Sequence, residues 1–387
     1  MRVEELLLED FRNYLRQDLE LVRGLNVVVG RNAQGKTNLL EAVHCLSGLG
    51  SPRSDNSALV RDGAEAAFLH ADVVREGRGL HVDMEFRPGR GTRILLNRSP
   101  SQRAKALPQL PVTVFFGPDE LSLVKGGPDG RRRFLDELIV KLRPARDSLR
   151  RDLERVLKQR NALLRALRND DRDDAHERLE VWDAALCEAG AALAAARLET
   201  LADLLPLAHK RYEEVAGGGA LELDYVASWL PSDEATGALQ DPATIDRDVL
   251  AGHLQARIAT LRVPELERGQ TLVGPQRDDV AVKLAARSGA LGGMLDARTY
   301  ASQGDQRTSA LALKLAEHDL VTDRLEDPPI LLLDDVFSEL DAERRRWLAA
   351  AVADSEQAIL TSAEPGVLEP LDPARIVDVE AGKATVR

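Results

Sequence analysis

The sequence predicts an α/β fold, a mixed sheet with flanking helices that is split by an inserted helical hairpin. Three observations predict it. Residues 25–42, LNVVVGRNAQGKTNLLEA, pass from a β-branched run through a glycine loop into apolar residues at helical spacing. Residues 328–341, PPILLLDDVFSELD, hold a wholly apolar run that stops at two aspartates, the pattern of a buried parallel strand. Between them, residues 145–167 contain no Gly or Pro and repeat apolar residues every seven positions.

Composition sets the outer limits. A chain of 387 residues has room for one large core and a second, smaller unit. Net charge is 52 − 64 = −12, so a DNA surface must be a local basic patch rather than a global charge. Only Cys45 and Cys187 are present, which excludes a disulfide framework and a cysteine zinc site and suits a reducing, cytoplasmic setting. No apolar run reaches the roughly 18 residues of a spanning helix. Glu4, Glu5 and Asp10 interrupt the start where a secretory signal would be apolar.

The glycine loop carries the strongest chemistry. Val27 to Val29 form the strand, Gly30-x-x-x-x-Gly35-Lys36-Thr37 the loop, and Leu39, Leu40 and Val43 the helix face. Glycines let backbone N–H groups face a phosphate, and the helix start adds positive potential. The expected nucleotide cradle is Gly30, Arg31, Asn32, Ala33, Gln34, Gly35, Lys36, Thr37 and Asn38. Lys36 is placed to reach the β/γ-phosphates of ATP, and Thr37 to bind Mg²⁺. Downstream, Asp334 is expected to hold Mg²⁺ through water and Asp335 to polarise the attacking water.

A third motif sets the class. Ser302, Gln303 and Gly304 precede a long Ala- and Leu-rich helix, which makes either a second phosphate cradle or a simple N-cap by Ser302. One nucleotide needs one cradle, so the second is expected to serve the ATP of a facing subunit, with Ser302 taking part in catalysis there. The motif lies about 30 residues before the Asp-Asp strand, which is the order of ABC proteins, and Ser338-Glu339-Leu340-Asp341 resembles their D-loop. The reading is an ABC-type P-loop ATPase head that closes on ATP as a homodimer. Asp335 stands where most ABC proteins have the longer glutamate, and Thr361 and Ser362 where many have a switch histidine. Both departures point to slow turnover and a switch.

The chain is expected to divide into head residues 1–130, an inserted arm 131–268, and head residues 269–387. Strands are expected at 3–8, 19–22, 69–74, 80–86, 92–96 and 111–116. In the arm, Leu149, Val156 and Leu163 form one heptad row, with Leu153 and Leu167 on the adjoining seam. This first helix would be about 35 Å long. The polar stretch 168–174 turns the chain, and Leu179, Leu186, Leu193 and Leu207 give a second helix in heptad register, broken by Thr200. The pair is a short antiparallel coiled coil. Arg131, Arg132, Arg133, Arg143, Arg146, Arg150, Arg151, Arg155, Lys158 and Arg160 crowd its start. They read either as a solvated face paired with Asp147, Asp152 and Glu154 or as a DNA-facing stripe.

Six islands resemble the RecF family of bacterial replication and recombinational repair proteins: 11–21, 30–42, 131–139, 271–279, 302–317 and 331–341. The resemblance implies an SMC-like head that dimerises on DNA with ATP and hydrolyses it weakly. It also implies binding to single-stranded and gapped duplex DNA, and work with partner recombination mediators that load recombinase after DNA damage. It places Arg12 and Asn13 in a loop near the nucleotide. A metabolic kinase would leave the motif at 302 unused, and a transporter cassette would not need the hairpin. A remodelling ATPase acting on RNA or protein stays open from the residues alone.

Overall fold

The computed structural model describes residues 1–168, 175–285, 293–353, 355–363 and 371–387, with the side chains of 119, 175, 176 and 339 left out. The expected turn at 168–174, beyond Arg168, and the Glu339 side chain lie outside the described residues. The chain forms two compact units, Met1–Glu120 with Lys314–Arg387, and Leu121–Leu313.

The first unit opens with β1 (Arg2–Phe11), β2 (Tyr14–Glu20), β3 (Gly24–Val29), α1 (Lys36–Cys45), β4 (Ala67–Arg75), β5 (Arg78–Phe86), β6 (Arg93–Leu96), β7 (Ser99–Ser101), α2 (Arg103–Ala106) and β8 (Thr113–Phe116). The second unit holds α3 (Ser122–Lys125), α4 (Pro128–Leu142), α5 (Ser148–Leu167), α6 (Ala175–Ala216), β9 (Leu221–Val226), α7 (Ser232–Gln240), α8 (Arg247–Arg268), β10 (Asp279–Ala285), β11 (Met294–Asp296) and α9 (Ala297–Tyr300). From α10 (Gln303–Leu325) the chain continues through β12 (Ile330–Asp334), α11 (Ala342–Ala353), β13 (Gln357–Ser362), β14 (Arg375–Glu380) and β15 (Lys383–Val386).

In the first unit, one sheet runs β15-β14-β3-β13-β12-β8, parallel except for the β15 edge. Its central strands are buried at nearly every residue, as a sheet covered on both faces requires. Parallel order brings the carboxyl ends of β3, β13 and β12 to one edge, where ligands bind in such sheets. The other sheet, β2-β1-β4-β5-β6-β7, is antiparallel, and β4 alternates buried and half-buried residues along its length. Leu8, Leu40, Val43, Phe86 and Leu332 share one core cluster, each contributing about 2 kcal/mol by burial. The second strand sits at Tyr14–Glu20 rather than at 19–22. Its inward position Gln17 is polar, because its amide donates to the Ala384 carbonyl (2.9 Å) and accepts from the Ala384 N–H (2.7 Å).

In the second unit the expected α5–α6 helical pair is joined by a third helix, α8. The 42-residue α6 packs on α5 and also on α8, which touches α5 in turn. The buried row of α5 is Leu153, Arg160, Leu164 and Leu167, while Leu149, Val156 and Leu163 are only half-buried. Arg160 occupies the seam because three elements supply acceptors. It donates to Asp183 (2.8 Å) on α6, Glu265 (2.6 Å) on α8 and the Thr271 hydroxyl (2.8 Å). Residues 271–279 are likewise satisfied within this unit. The Pro275 carbonyl accepts from Arg197, buried Asp278 from Tyr225 and Trp229, and Asp279 from Arg131. The expected borders at 130/131 and 268/269 both fall inside this unit of the division, since β10 pairs with β9 and draws the segment after 268 into the insert.

Candidate functional site

The glycine loop joins β3 to α1, and its two framing glycines are sterically required. A Cβ on Gly30 would lie 2.3 Å from the Val379 carbonyl oxygen. Gly35 has φ 116°, and a Cβ there would meet the Asn13 amide at 2.6 Å. Lys36 is buried, and its ammonium donates to the carbonyls of Gly30 (2.7 Å) and Arg31 (3.0 Å). Burial lowers its pKa, with the negative charges of Asp335 and Asp334 opposing that shift. Arg31, Asn32 and Ala33 form the exposed rim. Gln34 is anchored by the β14–β15 turn, where Ala381 N donates to its side chain (2.6 Å) and Gly382 N to its carbonyl (3.1 Å).

The Asp-Asp pair meets this loop across the sheet. The Thr37 hydroxyl donates to Asp334 Oδ1 at 2.9 Å, so a hydroxyl and a carboxylate converge where Mg²⁺ could be held. Thr361 on β13 lies between them, in register with Asp334 on one side and Val28 on the other. Its hydroxyl donates to Asp334 Oδ1 (2.7 Å) and accepts from the Asp335 N–H (2.9 Å). Burial raises the Asp334 pKa, while the hydrogen bonds from Thr361 and Thr37 work against the rise. Asp335 has left-handed backbone (φ 53°), and its Oδ1 is buried without a hydrogen-bond partner among the described residues. An orphaned carboxylate oxygen beside a buried ammonium and a Thr–Asp pair fits a nucleotide, its metal and a water. Thr361→Val keeps the shape and removes both hydrogen bonds. The Mg²⁺ concentration for half-maximal ATP hydrolysis is expected to rise about tenfold or more, with Thr361→Ser restoring it.

Of the two N-terminal candidates, Asn13 touches the loop. Its amide donates to the Gln34 carbonyl (3.0 Å) and accepts from Asn38 (2.7 Å), while the neighbouring Tyr14 hydroxyl donates to the Gly35 carbonyl (3.1 Å). Arg12 instead makes a two-point pair with fully buried Glu41 on α1, at 2.7 and 2.8 Å. Burial works against the charge on Glu41, yet Arg12, Ser51 and Arg53 hold its carboxyl below its ordinary range. Sequence reading missed Thr361's bridging role, Glu41 and the 381–382 turn, because each acts through a partner distant in the chain.

Ser302, Gln303 and Gly304 belong to the second unit and are exposed at the start of the 23-residue α10. The Ser302 hydroxyl caps this helix, donating to the Asp305 carboxylate (2.8 Å) and accepting from the Asp305 N–H (3.2 Å). The basic stripe is mostly ion-paired. Arg143 and Arg146 share Glu199, Arg150 pairs Glu154, Arg151 pairs Asp147 and Arg155 pairs Asp152. Arg160 and Arg131 leave the stripe altogether, because both side chains are buried.

A P-loop, an Asp-Asp strand end and a parallel sheet edge that unites them define an ABC-type ATPase head, here with an inserted helical domain. The chain belongs to the RecF family of DNA replication and repair proteins. It matches the RecF/RecN/SMC N-terminal domain over residues 2–385. It is 46% identical over 379 residues to the DNA replication and repair protein RecF of Streptomyces avermitilis, covering 95% of this chain and 96% of that one. Identity to RecF of Beutenbergia cavernae is 42% over 401 residues, or 99% of each chain. A solved structure of the recombination mediator protein RecF-ATP in the RecFOR pathway superposes with a TM-score of 0.86 at 27% identity, covering 100% of this chain and 97% of that one. An Smc head bound to the C-terminal winged-helix domain of ScpA matches at TM-score 0.55 and 14% identity, covering 100% and 97%, which speaks to the fold alone. Among the described residues, no helix is long and apolar enough to cross a membrane.

Proposed function

We propose that this chain is an ATP-driven, DNA-binding switch of replication and recombinational repair that acts in the cytoplasm. Two copies would close around ATP on single-stranded or gapped duplex DNA, and hydrolysis would open them slowly. Relatives carrying the RecF name and the solved RecF-ATP structure support the nucleotide and the process. The observation that carries the mechanism is Asp335 Oδ1, buried without a hydrogen-bond partner among the described residues, beside the Lys36 ammonium and the Thr37–Asp334 pair. Lys36 and the loop backbone would hold the phosphates, Thr37 and Asp334 the metal, and Asp335 would take the proton from water. Bound Mg²⁺ would supply charge neutralisation at the β/γ-phosphate oxygens. Closing the dimer, rather than rapid turnover, would then signal to partner recombination mediators that load recombinase.

The test is a mass measurement in solution with ATP, ADP or no nucleotide, each with duplex, gapped, single-stranded DNA or RNA. Dimers with ATP alone, bound to DNA with an affinity that falls steeply with salt, are the expected result. Dimers that prefer RNA, or no nucleotide dependence, would overturn it. Ser302→Arg tests action in trans. An exposed cap with no role in its own subunit's nucleotide site should tolerate the change for ATP binding by the monomer, yet the cation should block closure. Loss of ATP binding by monomeric Ser302→Arg would assign Ser302 to its own subunit.

A further inference from the structure

The antiparallel sheet of the first unit carries a polar cluster on the face opposite its core. Ala67, Leu69, Ala71 and Val73 are the buried positions of β4, so His70 and Asp72 project to the other side. On β5, buried Val82 and Met84 put His81 and Asp83 on that same outer face. Register pairs His70 with Asp83 and Asp72 with His81. Three donor atoms converge there. Asp83 Oδ1 lies 2.6 Å from His70 Nδ1 and 3.1 Å from His81 Nε2, and all three ligand atoms are within 4.8 Å of one another.

We propose that His70, His81 and Asp83 form a site for one divalent transition-metal ion of the Zn²⁺ class. Two imidazole nitrogens and one carboxylate are the donor set of a three-ligand zinc site with its fourth position open to water. Nitrogen donors also disfavour Mg²⁺ and Ca²⁺, which separates this site from the all-oxygen Thr37–Asp334 pair. Tetrahedral coordination at about 2.1 Å spaces ligand atoms by about 3.4 Å. The His81–Asp83 spacing is close to that, and the His70–Asp83 pair must open by a side-chain rotation. Both histidines are about one-third exposed, at 32% and 33%, so an ion can enter from solvent and the rings can adjust.

Orientation is already supplied. Asp72 Oδ1 sits 2.6 Å from His81 Nδ1, which fixes the tautomer that turns Nε2 to the ion. Glu9 on β1 lies 3.8 Å from His70 Nε2, near enough for charge attraction but too far for a hydrogen bond. Asp72 and Asp83 lie against the two ring nitrogens of His81. His81 Nε2 and Asp83 Oδ1 face each other at 3.1 Å, and a divalent cation would sit between them and His70. Binding should weaken as pH falls, because protons compete with the ion for the imidazole nitrogens.

Full-length protein stripped with EDTA should be titrated with Zn²⁺ against a chromophoric chelator at pH 7.5, with excess Mg²⁺ present. One Zn²⁺ per chain with a micromolar Kd is expected, and Co²⁺ in its place should give visible d–d bands. His81→Gln and Asp83→Asn should each lose roughly 100-fold in affinity, and Asp72→Asn about tenfold through ring orientation. His70→Asn serves as a second ligand variant, with circular dichroism confirming the fold of each. Absence of Zn²⁺ uptake by the wild type, or uptake unchanged in His81→Gln and His70→Asn, would overturn the site.

Discussion

Lys36→Ala is expected to abolish ATP-driven dimerisation while leaving the fold intact. The ammonium bridges the carbonyls of Gly30 and Arg31, so it both braces the loop and carries positive charge at the place where phosphates would lie. Desolvation makes that charge costly and lowers its pKa, and the charges of Asp335 and Asp334 oppose the shift. Hydrogen bonds to charged groups contribute about 1.5–3 kcal/mol each, so losing two or more to phosphate oxygens should weaken ATP binding by a factor of about 100 or more. Fluorescent-nucleotide titration reads the affinity, and light scattering with ATP reads the dimer. Retained ATP-dependent dimers in Lys36→Ala would remove the phosphate role from this lysine. Unchanged thermal unfolding without nucleotide would show that the variant failed for chemistry and not for folding.

The head was legible where function and local structure coincide. The β3–loop–α1 passage carries its own strand, glycines and helix face within eighteen residues (25–42), so its conformation is written locally. The same holds for β12, where an apolar run ends abruptly at Asp334. What escaped was set by register between distant strands. Thr361 faces Asp334 only because β13 inserts between β3 and β12 in that alignment, and no spacing rule reveals it. The helical insert itself was legible, but the residues that line its buried seam were not, for a related reason. Heptad counting rewards apolar residues, whereas the buried seam of α5 includes Arg160, whose partners come from α6, α8 and residue 271. Residues 271–279 matched the family pattern without showing what they do. Asp278 is buried against Tyr225 and Trp229, with its pKa raised to about 6 mainly by desolvation, so that stretch is a clasp within its own unit.

Asp335→Asn should separate closure from hydrolysis. Asp335 is the one carboxylate at the sheet edge whose buried oxygen, Oδ1, has no hydrogen-bond partner among the described residues, while Asp334 is engaged by Thr37 and Thr361. Its left-handed backbone, a conformation Asp tolerates better than most residues, is tied to β13 by the N–H bond to Thr361. That bond uses the main chain, so Asn at this position keeps the backbone anchor and changes only the side chain's chemistry. An amide cannot accept the proton of an attacking water, and general-base assistance is typically worth about 10²–10⁴ in rate. ATP binding and ATP-driven dimerisation should survive, and the closed dimer should persist longer on DNA because opening requires hydrolysis. Single-turnover ATP hydrolysis and the lifetime of the DNA-bound dimer measure the two effects together. Asp334→Asn provides the contrast: it should weaken the response to Mg²⁺, since that carboxylate faces the Thr37 hydroxyl. Native single-turnover rates in Asp335→Asn would take the general base away from this residue, whatever happened to the dimer.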